Sequence, residues 1–382
     1  MKPAQIDSAG KPRMDHGQIW QALVLMALAI VAAGCEPSPN RVDSSPSGRQ
    51  LAVDWVEGDR QGIVLVNADG TGHRWLGGGE DGTWPAWSPD GRWIAYRVTR
   101  TEGDGVARSH LYLYDLASRT PRRLPFDLTP PILWREDGHR LAAIRQVGDK
   151  KPVLVRFTLA GTILSEVPLP FSWVEREIAL WVPGSDDVLL VGSEASTPET
   201  MASNLYRVGI GEVQAITRTG DVIGAGTSRD GRRILWARTA SGEEDPLYLY
   251  VHDRIAGTAR RIPFAARPTG VRAAAGYTLR TAGLATFSPD ARQIAWVVLF
   301  ARPTPAGTPR PGYLACYVSR LDGTDLRLLR YFETVDGSCV PYWTRDGRRL
   351  VLLEGNGKGH TLAVYDAERW ERRVLLKSPR SN

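Results

Sequence analysis

Cysteine is nearly absent from this chain, with three residues in 382, which excludes a scaffold built on disulfides. Histidine is scarce too, at six. His73, His110, His139, His252 and His360 stand singly, without metal-ligand spacing, so no metal and no cofactor is expected. Signatures of catalysis are missing as well. The nearest approach to a nucleophile elbow, Gly226-Thr227-Ser228-Arg229-Asp230, lacks the second glycine. Gly77-Gly78-Gly79 is followed by no Lys-Ser/Thr pair and no helical pattern, which excludes a phosphate loop. Asp69-Gly70 and Asp322-Gly323 lack the repeated aspartates of a calcium loop and read as hairpin turns. Lysine is rare beside arginine, and the formal net charge is only +6. Without a concentrated basic stripe interleaved with aromatics, nucleic acid is not an expected partner.

Long apolar runs are missing but for one. Ile19 to Ala33 is apolar except at Gln21, and Lys2, Lys11 and Arg13 precede it. The run is short for a membrane span and fits a signal-peptide core. It ends in Ala32-Ala33-Gly34-Cys35, small residues directly before a cysteine. This ending resembles the lipobox of bacterial lipoproteins, with Ala32 standing where leucine is commoner. The resemblance implies that the Cys35 thiol receives diacylglycerol and that Cys35 becomes the new N-terminus. An ordinary secretory signal cleaved nearby, or a retained membrane anchor, are the other readings of the same run. On the lipobox reading, residues 1–34 are the signal and 35–40 the lipidated cysteine with a short tether, Glu36-Pro37-Ser38-Pro39-Asn40. Glu36 is not the aspartate that favours inner-membrane retention, so the same resemblance favours the outer membrane in a host that has one. Export places Cys316 and Cys339 in an oxidising compartment. Either neighbouring repeats bring them into a disulfide, which demands a specific Cα separation, or they are small buried hydrophobes.

What the chain does have is a repeat. A strand, a Ser-Pro-Asp-Gly-like turn and a second strand recur seven times, most plainly in PAWSPDGRWIAYRV from Pro85 to Val98. The turn position falls at Gly48, Gly91, Gly138, Ser185, Gly231, Ala291 and Gly347. Pro89 presets the second position of a type I turn and Gly91 takes the fourth. Asp90, Asp137, Gly138, Asp230, Gly231, Pro289, Asp290, Asp346 and Gly347 fill the same positions in other copies and are read as structural. A third strand follows each copy, as at Leu111–Asp115, and a short fourth one follows that, giving four antiparallel strands in about 45 residues. One such sheet cannot bury both faces, so the copies must stack around an axis. The expected fold is an all-β propeller over residues 41–376, with 377–382 as a tail. Seven blades are expected; six result if the inner strand of the first, sought between Pro39 and Ser44, fails to form. Most of the 13 tryptophans recur at fixed places in the repeat and are expected between blades.

The pattern P-x-W-S-P-D-G-x-x-I-A, met in full by Pro85, Trp87, Ser88, Pro89, Asp90 and Gly91, resembles the WD-repeat-like propeller repeat of TolB and of propellers attached to prolyl-oligopeptidase-type enzymes. The fourth and sixth copies lack the motif glycine, at Ser185 and Ala291. The resemblance implies a periplasmic protein that binds protein or envelope partners, or that gates a hydrolase.

Let A to D denote the strands of a blade from the axis outward. Antiparallel topology puts the A–B and C–D turns on one face and the B–C and D–A connections on the other. The A–B turns are uniform and arginine-rich, whereas the B–C and D–A connections are long and dissimilar. Binding residues concentrate on loops held by a rigid scaffold. The B–C/D–A face is therefore the candidate binding face, with Trp84, Arg100, Arg108, Trp173, Arg272, Tyr277 and Arg280 as its candidate residues. The expected function is a monomeric, lipid-anchored, non-catalytic scaffold for a protein partner in the cell envelope. The alternative is a propeller enzyme or small-ligand sensor using the axial funnel.

Overall fold

In the second repeat the hydroxyl of Ser88 donates to the Asp90 carboxylate and accepts from the Trp93 N–H at 2.8 Å, while Asp90 accepts from the Arg92 N–H at 3.0 Å. The Gly91 N–H closes the turn on the Ser88 carbonyl at 3.0 Å. Gly91 sits at φ 74°, in the left-handed region where a side chain is unfavourable. One serine and one aspartate thus satisfy the polar groups of a turn that joins two buried strands. The same bonds recur from Ser228 and Asp230, from Ser288 and Asp290, and from Thr344 and Asp346.

The computed structural model describes residues 41–379, apart from 104, 106, 147–150, 194–202, 240–246, 263–277, 303–309, 333–337 and 357–358. These residues form seven sheets, each of four consecutive antiparallel strands. Blade 2 is representative: β5 (Gly82–Trp87), β6 (Trp93–Thr101), β7 (Ala107–Asp115) and β8 (Thr120–Asp127) are its strands A to D. The first blade does acquire its inner strand, β1 (Val42–Ser44), which pairs with β2 (Gln50–Glu57) through Val42 and Val53. Seven blades are therefore present. The last strand, β28, covers Arg372–Pro379 and so passes residue 376 by three positions.

Strands A to C are largely buried because each blade is covered on both sides by its neighbours; strand D, at the outer edge, is mostly exposed. Every interface between neighbouring blades has an apolar cluster of its own. Between blades 2 and 3, for example, Leu111, Leu113 and Leu124 pack on Trp134, Leu141 and Phe157. The repeat tryptophans lie in these seams: Trp87, Trp134, Trp181, Trp236 and Trp296 are all buried. Trp134 also donates from Nε1 to the Ala86 carbonyl of the preceding blade at 3.0 Å.

Apart from an isolated bridge between Ser203 of blade 4 and Asp221 at the start of blade 5, no strand pairing among the described residues links one blade to the next. The first and last blades are held by side chains instead. Val42, Val53 and Trp55 pack on Val351, Leu353 and Leu376. A polar clasp lies beside them. The Arg345 guanidinium donates to the Asp43 carboxylate at 2.8 Å and to the Trp87 carbonyl at 2.7 Å, while Asp43 accepts from the Trp87 N–H at 2.7 Å. Blades 7, 1 and 2 thereby share one knot of hydrogen bonds.

Candidate functional site

The A–B turns interlock. A side chain added at Gly91 would meet Pro46 of blade 1; at Gly138, Asp90 of blade 2; at Gly231, Pro183 of blade 4; at Gly347, Pro289 of blade 6. Gly48 of blade 1 rests on Asp346 of blade 7, which closes the circle. These five turns thus each seat on their predecessor. In blade 6 Ala291 takes the glycine position at φ 54°, and its N–H still reaches Ser288 at 2.7 Å. In blade 4 the turn runs Val182–Ser185, with Gly184 at φ 68° one place early and Ser185 bonded back to Val182. Both departures from the motif therefore keep the turn.

Many arginines of this face are occupied. Arg92 pairs with Asp115 at 3.1 Å, Arg232 with Asp253 at 3.0 Å, and Arg254 with Asp187 at 3.0 Å. The aspartates also receive turn N–H groups. The Ala256 N–H, followed by Arg232, holds the Asp253 carboxyl down at about 2. The hydroxyl of Ser228, with the Arg232 N–H, likewise lowers Asp230. Arginine here serves the turns and seams more than it offers free positive charge.

On the B–C/D–A face, the described residues show ion pairs that brace the hairpins. In blade 2, His110 is 2% exposed; its Nδ1 lies 2.6 Å from the Asp127 carboxylate and its Nε2 3.4 Å from that of Glu102. Arg108 contacts Glu102 as well, and Arg123 stands 3.6 Å from Asp127. In blade 3, Arg145 grips Glu166 through two bonds of 2.7 and 2.6 Å, which lowers the Glu166 carboxyl from its ordinary value. In blade 5, Arg238 likewise donates two hydrogen bonds to Asp221, at 2.7 and 2.8 Å. His110 is sealed between carboxylates as a brace for its hairpin, with no open side for a reacting group.

The candidate residues do not all converge. Arg100 is exposed and lies opposite Arg108 across the β6–β7 hairpin. Trp84, in contrast, is 7% exposed, and the Arg41 guanidinium covers its ring at 5.2 Å, so its indole belongs to the interior. Trp173 begins strand A of blade 4 and Arg280 lies in strand A of blade 6, but their side chains, like all of Arg272, Tyr277 and Cys35, lie outside the described residues. Cys316 and Cys339 do meet, in the seam of blades 6 and 7. They are free thiols, both buried. A hydrogen bond to Cys316, together with burial, pushes the Cys339 thiol up. Beside them Glu354 is 4% exposed, bonded to Arg372 at 2.9 Å. No group of three or more His, Cys, Asp or Glu suited to a metal ion occurs among the described residues.

One surface feature escapes the motif reading. Of the large hydrophobic residues that stand exposed among the described residues, Ile163, Leu164, Ile210 and Ile255 belong to the C–D edges of blades 3, 4 and 5, and Tyr331 to strand D of blade 6. Ile255 is 78% exposed. The matching turns of blades 1, 6 and 7 carry Asp69, Asp322 and Glu368. Aligning the seven C–D turns, instead of the A–B turns, reveals this lopsided rim in the sequence.

No protein-family profile matches the chain, and no curated protein sequence matches it either. Solved structures do. The β-propeller domain of the Trilobed protease from Pyrococcus furiosus, described as having an open velcro topology, aligns with a TM-score of 0.58 at 16% identity, over 89% of this chain and 97% of that one. An oligogalacturonate lyase from Vibrio parahaemolyticus gives 0.58 at 13% identity, over 86% and 89%. TolB from Acinetobacter baumannii gives 0.45 at 17% identity, over 89% and 63%. At such identities the likeness concerns fold alone, and one fold hosts many functions. By its own strands the chain is a seven-bladed β-propeller, and the protease domain and the lyase share its overall fold.

Proposed function

We propose that the protein is a lipid-anchored, extracytoplasmic scaffold that binds a protein partner of the cell envelope through its B–C/D–A face, without catalysing a reaction. The observation that carries this reading is the division of labour between the two faces. On the A–B side the repeat's hydroxyls, carboxylates and glycines are used in turn bonds and blade-to-blade seating. On the other side Arg145, Arg238 and His110 brace the strand ends, and the blade 2 hairpin presents Arg100 to solvent. A rigid ring that holds variable loops is a binding platform. The lipobox-like sequence at Cys35 supplies the anchoring half of the proposal.

The test is photo-crosslinking in cells from two positions, Arg100 on the B–C/D–A face and Arg292, 84% exposed, on the A–B face. The expected result is a partner captured from position 100. Capture from position 292 alone overturns the choice of face.

A further inference from the structure

Cys316 and Cys339 are brought together by strands of different blades. Cys316 lies in β23 (Arg310–Arg320), strand C of blade 6, and Cys339 in β25 (Ser338–Trp343), strand A of blade 7. Both thiols are buried in the cluster between these blades, in hydrogen-bonding contact with each other. The strands around them are pinned across the same seam. Arg330, opposite Cys316 on strand D of blade 6 (β24, Arg327–Phe332), stands 3.5 Å from Glu354, which lies opposite Cys339 in blade 7. The Tyr365 hydroxyl of blade 7 donates to the Leu329 carbonyl of blade 6 at 3.1 Å. The fold thus fixes the meeting of the two sulfurs from both sides. The seam also disfavours a thiolate: contact with Cys316, then burial, push the Cys339 thiol up, and the Glu354 carboxylate adds to the effect. A disulfide carries no charge, so the same seam accepts it without that penalty. Among the described residues blade 7 shares no strand with blade 6 or blade 1 and is held to each by side-chain contacts.

We infer that Cys316 and Cys339 are a redox pair that closes into a disulfide and staples the last blade to the ring. The oxidant is a small or protein disulfide, of which oxidised glutathione is the simplest. One cysteine, as thiolate, attacks a sulfur of the oxidant and expels a thiolate. The second cysteine then attacks the mixed disulfide and expels the other thiolate. One S–S bond is broken and one is formed, and the two protons and two electrons leave on the oxidant's two thiols. Because both sulfurs are buried, the first attack requires the seam of blades 6 and 7 to open. Once the seam recloses, the finished bond is shielded from reductants. The loop it closes holds residues 317–338, including strand D of blade 6. Cys35 takes no part, so the inference stands apart from the lipid anchor.

The test uses the full chain with Cys35→Ala, in which Cys316 and Cys339 are the only cysteines left. The folded, reduced protein is held just below its denaturant transition, where seams open, with a mixture of oxidised and reduced glutathione. A parallel sample receives reduced glutathione alone. Both are then denatured, alkylated and digested. The expected result in the mixture is a peptide pair joined through positions 316 and 339, with neither cysteine alkylated. Without oxidant, both are alkylated. The oxidised protein should also unfold at a higher denaturant concentration than the reduced one, with an unfolding equilibrium constant lower by roughly 100-fold for a loop of this length. Alkylation of both cysteines after the mixture, or a separate glutathione adduct on each, overturns the redox pair. A joined pair with an unchanged unfolding midpoint overturns the staple.

Discussion

A side-chain oxygen at the first turn position and a carboxylate two residues later do most of the local work in this protein. Ser88 is fully buried and both donates and accepts. Its replacement strands the Trp93 N–H and removes one of the two donors to the Asp90 carboxylate. Ser88→Ala is expected to cost about 1–2 kcal/mol in denaturant unfolding. The turn aspartates predict an acid limb. The Asp253 carboxyl titrates at about 2, and Asp69, Asp115, Asp230, Asp322 and Asp366 are likewise lowered, chiefly by turn hydrogen bonds and arginines. Because the folded values lie below the unfolded ones, their stabilisation is full above the ordinary carboxyl range. It is lost as pH falls from there through about 2. Unfolding followed against pH should show this loss, and Asp253→Asn should make the limb shallower; an unchanged limb in that variant contradicts the assignment. These residue roles were largely legible in the sequence, since Ser-Pro-Asp-Gly is a turn with a mechanism. The burial of Trp84 was not, because the arginine that covers it precedes it by 43 positions.

At the scale of the element, the turn glycines differ in what each touches, as Gly231 of an A–B turn and Gly257 of a C–D turn show. Gly231 has φ 66° and a neighbouring carbonyl, that of Pro183, 2.3 Å from where a Cβ would lie. Gly257 has the same φ with nothing within 4 Å. Gly257→Ala is expected to cost about 1 kcal/mol, from left-handed backbone alone. Gly231→Ala should cost about 3 kcal/mol, because the contact with blade 4 must open as well. Equal losses in the two variants would contradict the seating of one turn on the next. Ala291 makes the converse case: Ala291→Gly relieves an unfavourable φ and should stabilise by about 0.5–1 kcal/mol, net of the glycine's greater unfolded freedom. The sequence showed the missing glycine at this position, but not that the turn survives with alanine in the left-handed conformation. That outcome is set by the Ser288 and Asp290 bonds, which keep the turn closed around it. The strands themselves were read correctly from their periodicity; what periodicity omits is the long-range set of charges, such as Arg145 on Glu166, whose partners lie on different strands.

For the whole molecule, closure is the question a repeat leaves open. Among the described residues the sheets at the two ends of the chain share no strand, and they meet through the seam of blades 7 and 1 and through Arg345. Arg345→Ala should lower stability by about 2 kcal/mol, as expected for a partly buried charged hydrogen-bond group. It should also raise hydrogen exchange in β1 and its neighbours before the remaining blades. The number of blades was legible from spacing, and closure was not, because Asp43 and Arg345 are 302 residues apart. The proposed binding face was the least legible part: its candidate loops are the segments where the repeat is interrupted, and an interruption has no period to read. The proposed anchor rests on the motif at Cys35. The most direct test of the account is therefore the mass of the N-terminal peptide of the protein isolated from cell membranes. The account predicts a peptide that begins at Cys35 and carries a diacylglyceryl group, and a Cys35→Ala variant that leaves the membrane fraction. A membrane-bound protein with an unmodified Cys35, or one cleaved at another residue, would contradict it.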